Sequence, residues 1–159
     1  MQIERRTLPG VHMAFVTYAG PIRGVTSAIP ELLASIREGG VEPLGPPVAL
    51  YPSAEQDPEA IMARVCVPVP AWFTGHAGLR TLTLGPVDVV VAHFHGPHRD
   101  LGAAYDALSA WVDEQGLSVA EGVSETFVVG PHDGVAEQQW HTKVAVRLKE
   151  PILPPSEPK

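Results

Sequence analysis

Apolar and aromatic positions recur along this chain in two stretches that read alike. Phe15-Val16-Thr17-Tyr18-Ala19 closes on Gly20-Pro21, and Val91-Ala92-His93-Phe94-His95 closes on Gly96-Pro97. Each is a strand-like run stopped by a dipeptide that forces a turn. The offset between them is 76 residues, and it persists downstream. Ile29, Leu32, Ile36 and Gly40 fall on Tyr105, Leu108, Val112 and Gly116. That spacing predicts two amphipathic helices, each ended by a glycine able to adopt the left-handed cap. Pro30 is tolerated if the first helix begins at about Ser27 or Ala28, where a missing N–H does no harm. Asp100 is expected to cap the second helix before Leu101. A short strand follows each helix, Val48–Tyr51 and Ser124–Phe127. After a loop three residues longer in the second copy comes a closing strand, Met62–Val69 and Trp140–Leu148. Ile3–Thr7 with Pro9-Gly10 leads into the first copy as Thr81–Leu84 with Gly85-Pro86 leads into the second.

The expected fold class is therefore α+β. Two duplicated βαββ halves are related by a pseudo-two-fold, with antiparallel sheets and one main helix per half. Amphipathic helices must bury their apolar stripe on a sheet, which leaves a concave seam as a pocket between the halves. The expected organisation is one domain over residues 1–150. Half 1 covers about 1–69, a linker 70–78, and half 2 about 79–150. A proline-rich tail over 151–159, which cannot sustain a helix or a ladder, is expected to be flexible.

Composition narrows the function. The 159 residues are 45% hydrophobic and 18% charged, which is a folding composition and not a disordered one. Net charge is −7, and the densest basic cluster, Arg5-Arg6, is flanked by Glu4. Direct nucleic-acid binding needs a basic footprint to displace counterions, so none is expected. The acidic balance favours a neutral or cationic ligand. The single cysteine, Cys66, lies in an apolar run and reads as packing; with no partner it cannot form an internal disulfide. No apolar stretch follows Met1-Gln2-Ile3-Glu4-Arg5, and no run approaches the roughly 20 residues of a membrane span. The expectation is a cytoplasmic protein with no membrane partner.

The motif order carries a resemblance. Phe94-His95-Gly96-Pro97 is followed by Ala104-Tyr105-Asp106-Ala107-Leu108 and Trp111. Next come Glu125-Thr126-Phe127-Val128, Gly130-Pro131 and Trp140-His141-Thr142-Lys143-Val144. Together these resemble the GyrI-like, or AraC-type effector-binding, domain over Glu4 to Leu148. The resemblance implies a small-molecule pocket lined by aromatic residues, with its central carboxylate at Glu125. The aromatic lining would be Tyr51, Phe127 and Trp140, joined by Tyr18, Phe94 and Tyr105. Some relatives in the family are fused to a DNA-binding helix-turn-helix, some resemble hydrolases that open cyclopropane rings, and the namesake inhibits gyrase. No residues precede the domain here, so a stand-alone binding domain is expected.

The residues support that reading in their own terms. Glu125 stands in an apolar strand, where an inward carboxylate is costly unless bonded. There its pKa should rise, fitting it to act as a general acid or as a counter-charge for a cation. Phe127 shares its face, because strand residues two apart do. Trp111 sits three residues from Leu108, as a helix–sheet core residue would; Trp72 and Phe73 fall in the linker as a lid or an oligomer contact. His93, His95 and His98 invite a metal site, but the Gly96-Pro97 turn separates the third and no diagnostic spacing is present. No metal or cofactor is expected. Three functions follow. The first is a binding protein for a small hydrophobic or cationic molecule. The second is a hydrolase of reactive cyclopropane electrophiles, with Glu125 and Tyr51 catalytic. The third is an interaction protein, with gyrase, another separate protein or a second copy as partner.

Overall fold

A computed structural model describes residues 1–149; the expectation for the tail at 151–159 lies outside the described residues. The strands are β1 (Gln2–Leu8), β2 (Val11–Gly20), β3 (Val48–Tyr51), β4 (Ile61–Pro68), β5 (Arg80–Leu84), β6 (Val87–His95), β7 (Val119–Val129) and β8 (His141–Leu148). The helices are α1 (Ile29–Glu38) and α2 (Gly102–Glu114), each entered through a 3-10 segment, Ile22–Ala28 and His98–Asp100. The class is α+β, as the apolar pattern predicts. The pattern implied sheets in the plural. Pairing of β3 with β7 joins them into one antiparallel sheet of order β1-β6-β8-β7-β3-β4-β2-β5.

The register at that junction shows the symmetry. Val48 pairs Thr126, Ala49 pairs Glu125 and Leu50 pairs Ser124. Ala49 and Glu125 are repeat equivalents, so the pseudo-two-fold passes between them. The leading strands are exchanged. β1 pairs with β6, and β5 pairs with β2, so each edge of the sheet is closed by the strand preceding the other copy. The two connecting links cross in contact. A Cβ on Gly10 would lie 3.1 Å from the Leu84 carbonyl oxygen and 3.6 Å from the Pro86 ring, a close approach that a side chain would have to push apart by a few tenths of an ångström.

Ile29, Leu32 and Ile36 of α1 and Ala104, Leu108 and Val112 of α2 are buried on the same sheet face. They share one core with Ala49, Val65, Val90 and Phe127, and Trp111 packs against it. The other face carries two smaller clusters, centred on Met13, Phe15 and Cys66 and on Val89, Val91 and Ala145. Burial pushes the Cys66 thiol up to about 12, so it is packing and not a nucleophile. Gly40 and Gly116, just past the helices, have φ of +82° and +67°, as the glycine stops require.

Three details differ from the expected elements. Asp100 does not cap α2: it lies inside the 3-10 turn, and Leu101 takes the cap position with helical backbone angles, so no extended residue can fold its side chain back. β7 runs from Val119, not Ser124, because it is central between β8 and β3 and Gly122 at φ +97° absorbs a register shift. In the linker, Phe73 is buried in the core while Trp72 stays 68% exposed. No helix among the described residues is long and apolar enough to cross a membrane.

Candidate functional site

A cavity of about 710 Å³ opens on the helix-covered face between the two halves. Its floor is the β3–β7 junction. Val123, Glu125 and Phe127 alternate onto that face of β7, and Tyr51 enters from β3. The start of α2 supplies Leu101 and Tyr105. The segment after β2 and the first residue of β4 close the other side with Ile22, Val25 and Ile61.

Glu125 is 4% exposed, and Thr142 is the other buried polar residue in the described core. Its two oxygens are divided between two phenols. Tyr51 donates to Oε1 at 2.9 Å, and Tyr105 donates to Oε2 at 2.5 Å. Burial raises the carboxyl pKa, and the hydrogen bonds from Tyr105 and Tyr51 oppose that rise. Burial first and the charge of Glu125 second raise both phenol pKa values, so Tyr51 and Tyr105 stay protonated donors. Across the strand pair, the repeat-equivalent position is Ala49, fully buried and without a second charge.

A second wall is aromatic. The His98 ring lies 4.7 Å from the Trp140 ring and 5.3 Å from that of Phe127, centre to centre. Desolvation lowers the His98 pKa, so the imidazole is neutral near neutral pH. A largely apolar cavity with one buried, bonded carboxylate and an aromatic wall suits flat or cationic molecules, by stacking and cation–π attraction.

Residues 1–149 match the family described as the GyrI-like small molecule binding domain. The chain belongs to this family. No curated protein matches the sequence. Among solved structures, this GyrI-like domain is similar to the C-terminal domain of EcmrR, with TM-score 0.84 and 16% identity over 94% of this chain and 98% of that one. In an EcmrR–DNA complex the TM-score is 0.82, and the match spans only 57% of the EcmrR chain. A hydrolase encoded by lin2189 from Listeria innocua matches at TM-score 0.72 and 13% identity, over 93% of this chain and 92% of that one. SAV2435 bound to tetraphenylphosphonium matches at TM-score 0.60 and 12% identity, covering 94% of both chains. At these identities the likeness is one of fold.

The structure brings Glu125, Tyr51, Tyr105, Phe127 and Trp140 to the GyrI-like cavity. Tyr18 and Phe94 are not in its lining. The Tyr18 hydroxyl donates to the Pro21 carbonyl oxygen at 2.5 Å and so props the 22–28 segment that forms one wall. Phe94, its repeat equivalent, turns over Gly96 and packs on the core. His93 and His95 lie on the opposite sheet face with His141. His93 Nδ1 is 3.2 Å from His141 Nε2, and the His95 and His141 rings stack at 4.4 Å. No cluster of three metal-ligating side chains forms among the described residues.

His98 entered the sequence reading only as a metal candidate, yet it lines the cavity. Its signal was positional, since it and Ile22 occupy equivalent places just after each Gly-Pro. Arg23 and Arg99 follow them and also line the rim. Both oxygens of Glu59 lie 2.9 Å from Arg23, and Arg99 meets Glu137 at 2.8 Å. These exposed pairs contribute little stability individually but hold the two cavity loops to the turns.

The prop under the wall is testable. A Cβ added at Gly24 would collide with the Tyr18 hydroxyl. Gly24→Ala is expected to cost about 1 kcal/mol through loss of the Tyr18–Pro21 hydrogen bond. Tyr18→Phe removes both that hydrogen bond and the obstructing oxygen, so it should cost about as much alone, and Gly24→Ala added to it should cost little more. Urea unfolding of the two single variants and the double variant checks this; fully additive costs would refute the prop.

Proposed function

We propose that this domain captures a small hydrophobic cation, with Glu125 as the counter-charge. The observation that carries the reading is the single buried carboxylate on the cavity floor, bracketed by two phenol donors. Each hydroxyl stabilises the anion, and burial keeps water from screening it, so a cation entering the cavity meets an unscreened partner. Phe127, Trp140 and the face of His98 supply the apolar and π surface that a lipophilic cation needs in exchange for its hydration. The tetraphenylphosphonium seen on SAV2435 is consistent with the reading, as is the family description. Capture is favoured over turnover because both Glu125 oxygens already accept hydrogen bonds, which suits an anion better than a proton donor.

Charge selectivity tests it. Tetraphenylphosphonium and tetraphenylborate have nearly the same shape and opposite charge. Calorimetric titration is expected to show saturable one-to-one binding of the cation and at least a hundredfold weaker binding of the anion. Equal binding of both would leave a merely greasy cavity and remove Glu125 from the account.

A further inference from the structure

Both helices pack on one side of the sheet, so its other side carries no helix among the described residues. Register and alternation fix which side chains stand there. One row runs straight across the strands. Lys143 of β8 pairs Thr126 of β7, Thr126 pairs Val48 of β3, and Val48 pairs Cys66 of β4. Cys66 pairs Phe15 of β2, and Phe15 pairs Arg80 of β5. In the next row Arg64 pairs Leu50, and Leu50 pairs Ser124. On the far flank Arg6 and Arg147 both pair Val89. Half-buried Val48 and Leu50 pack with Cys66 and Phe15, so an apolar centre is bordered by cations on both sides.

The charge on this side has one sign. Arg6, Arg64, Arg80, Lys143 and Arg147 are five of the chain's 11 basic residues. Of its 18 acids, Glu4 alone holds a strand-paired position here. A face left to water mixes both signs; this one is net positive in a chain of net charge −7. Arg6 meets Glu4 at 3.4 Å. Arg64, Arg80, Lys143 and Arg147 meet no carboxylate among the described residues. Arg64 and Arg80 instead lie over the Phe15 ring, 4.9 and 5.7 Å from its centre, and leave Phe15 buried.

We propose that this sheet face docks an acidic protein partner that presents apolar side chains between its carboxylates. Protein interfaces combine an apolar centre with a polar rim and are enriched in arginine. Eight strands span about 34 Å, and six residues along a strand about 20 Å. That is roughly 700 Å², against the roughly 800 Å² that each partner gives to a standard interface. Away from this face the chain is net negative, so an acidic partner is steered here. Two copies of the face repel one another, which disfavours a symmetric dimer through it. Single-stranded nucleic acid finds no ring to stack on, because Phe15 is covered. A membrane needs apolar side chains that reach past the charges, and Val48 and Leu50 sit half-buried between their neighbours.

Fluorescence anisotropy at low salt, with a labelled random copolymer of glutamate and leucine as the probe, tests the docking face. The native chain is expected to bind it more tightly than poly-glutamate of the same length, and to lose it as salt rises. Lys143→Glu with Arg147→Glu should weaken binding about tenfold or more, and so should Arg64→Glu. Arg37→Glu, exposed on α1, should stay within about twofold of the native chain. Thermal unfolding confirms that each variant is folded, and the pair on β8 keeps the test sound if Arg64→Glu disturbs Phe15. No binding of the copolymer, or equal binding by the native chain and the face variants, overturns the proposal. So does a preference for poly-glutamate, for oligothymidylate of equal charge, or for vesicles of phosphatidylserine and phosphatidylcholine. If the native chain alone sediments as an oligomer that the face variants dissociate, the occupant is a second copy and the proposal falls. None of these outcomes touches the cavity, so cation capture stands or falls separately.

Discussion

Glu125→Gln is expected to abolish capture of tetraphenylphosphonium while raising the melting temperature. The first effect follows from charge. Truncating one partner of a desolvated ion pair costs about 2–5 kcal/mol, so affinity should fall roughly a hundredfold or more. The second follows from burial. A carboxyl with a pKa above its ordinary value of 4.5 holds its proton more tightly folded than unfolded. Above the folded value, the anion therefore subtracts from stability; as pH falls through that value toward 4.5 the penalty disappears. Glutamine carries no such charge. Its carbonyl can accept from one phenol, while its amide donates to the other phenol oxygen once that hydroxyl rotates. The variant should be more stable than the native chain at pH 8, by a margin that shrinks on acidification toward pH 5. A gain of about 1 kcal/mol corresponds to roughly 2–4 °C in a chain of this size. Melting curves at the two pH values, with and without the cation, read both effects. A variant less stable than the native chain at pH 8 would show that the tyrosine bonds to the anion outweigh its burial.

Ala49→Glu should be the most damaging single change near the floor. Ala49 is fully buried and pairs directly with Glu125 across the junction. The Cβ of residue 49 stands about 4.5–5.5 Å from that of Glu125, so the added carboxylate would extend into the same space. Two carboxylates in that space cannot both ionise without a large penalty, and Tyr51 and Tyr105 are already committed. A loss of about 3–5 kcal/mol is expected at pH 7.5, the range for an uncompensated buried charge. Because the pair would bind protons more tightly folded than unfolded, part of the loss should return as pH falls toward 5. Ala49→Gln separates size from charge: it should be destabilised by overpacking alone, with little pH dependence. Urea unfolding midpoints of the three proteins at both pH values decide the matter. Ala49→Glu within 1 kcal/mol of the native chain at pH 7.5 would mean that the floor is open to water.

How far the sequence foretold this depended on which interactions local pattern encodes. The 76-residue repeat made the α+β class and the two helices legible, because apolar spacing directly reports which face is buried. The alternation of β7 put Phe127 and Glu125 on one side for the same reason. Strand partners were not legible. The pattern of β1 says that it is a strand and nothing about whether it pairs with β2 or β6, so the exchange of leading strands went unseen. His98 was obscured by the Gly96-Pro97 turn, which redirects the chain in a way that periodicity cannot follow. Tyr18 shows the converse limit: an aromatic residue in register with the repeat can be spent on propping a backbone carbonyl instead of facing the cavity. The ion pairs of Arg23 and Arg99 join residues far apart in sequence and had no local signature.

The exchanged leading strands have a consequence for symmetry. One βαββ unit with its leading strand cannot close on itself in this arrangement, since that strand belongs on a neighbour's edge. Two identical units would satisfy both edges only by trading leading strands. In such a pair, positions 49 and 125 would be the same residue, and a carboxylate there would face its own copy across the two-fold. A lone buried acid opposite an alanine therefore requires halves that differ in sequence, which a single chain carrying both copies supplies.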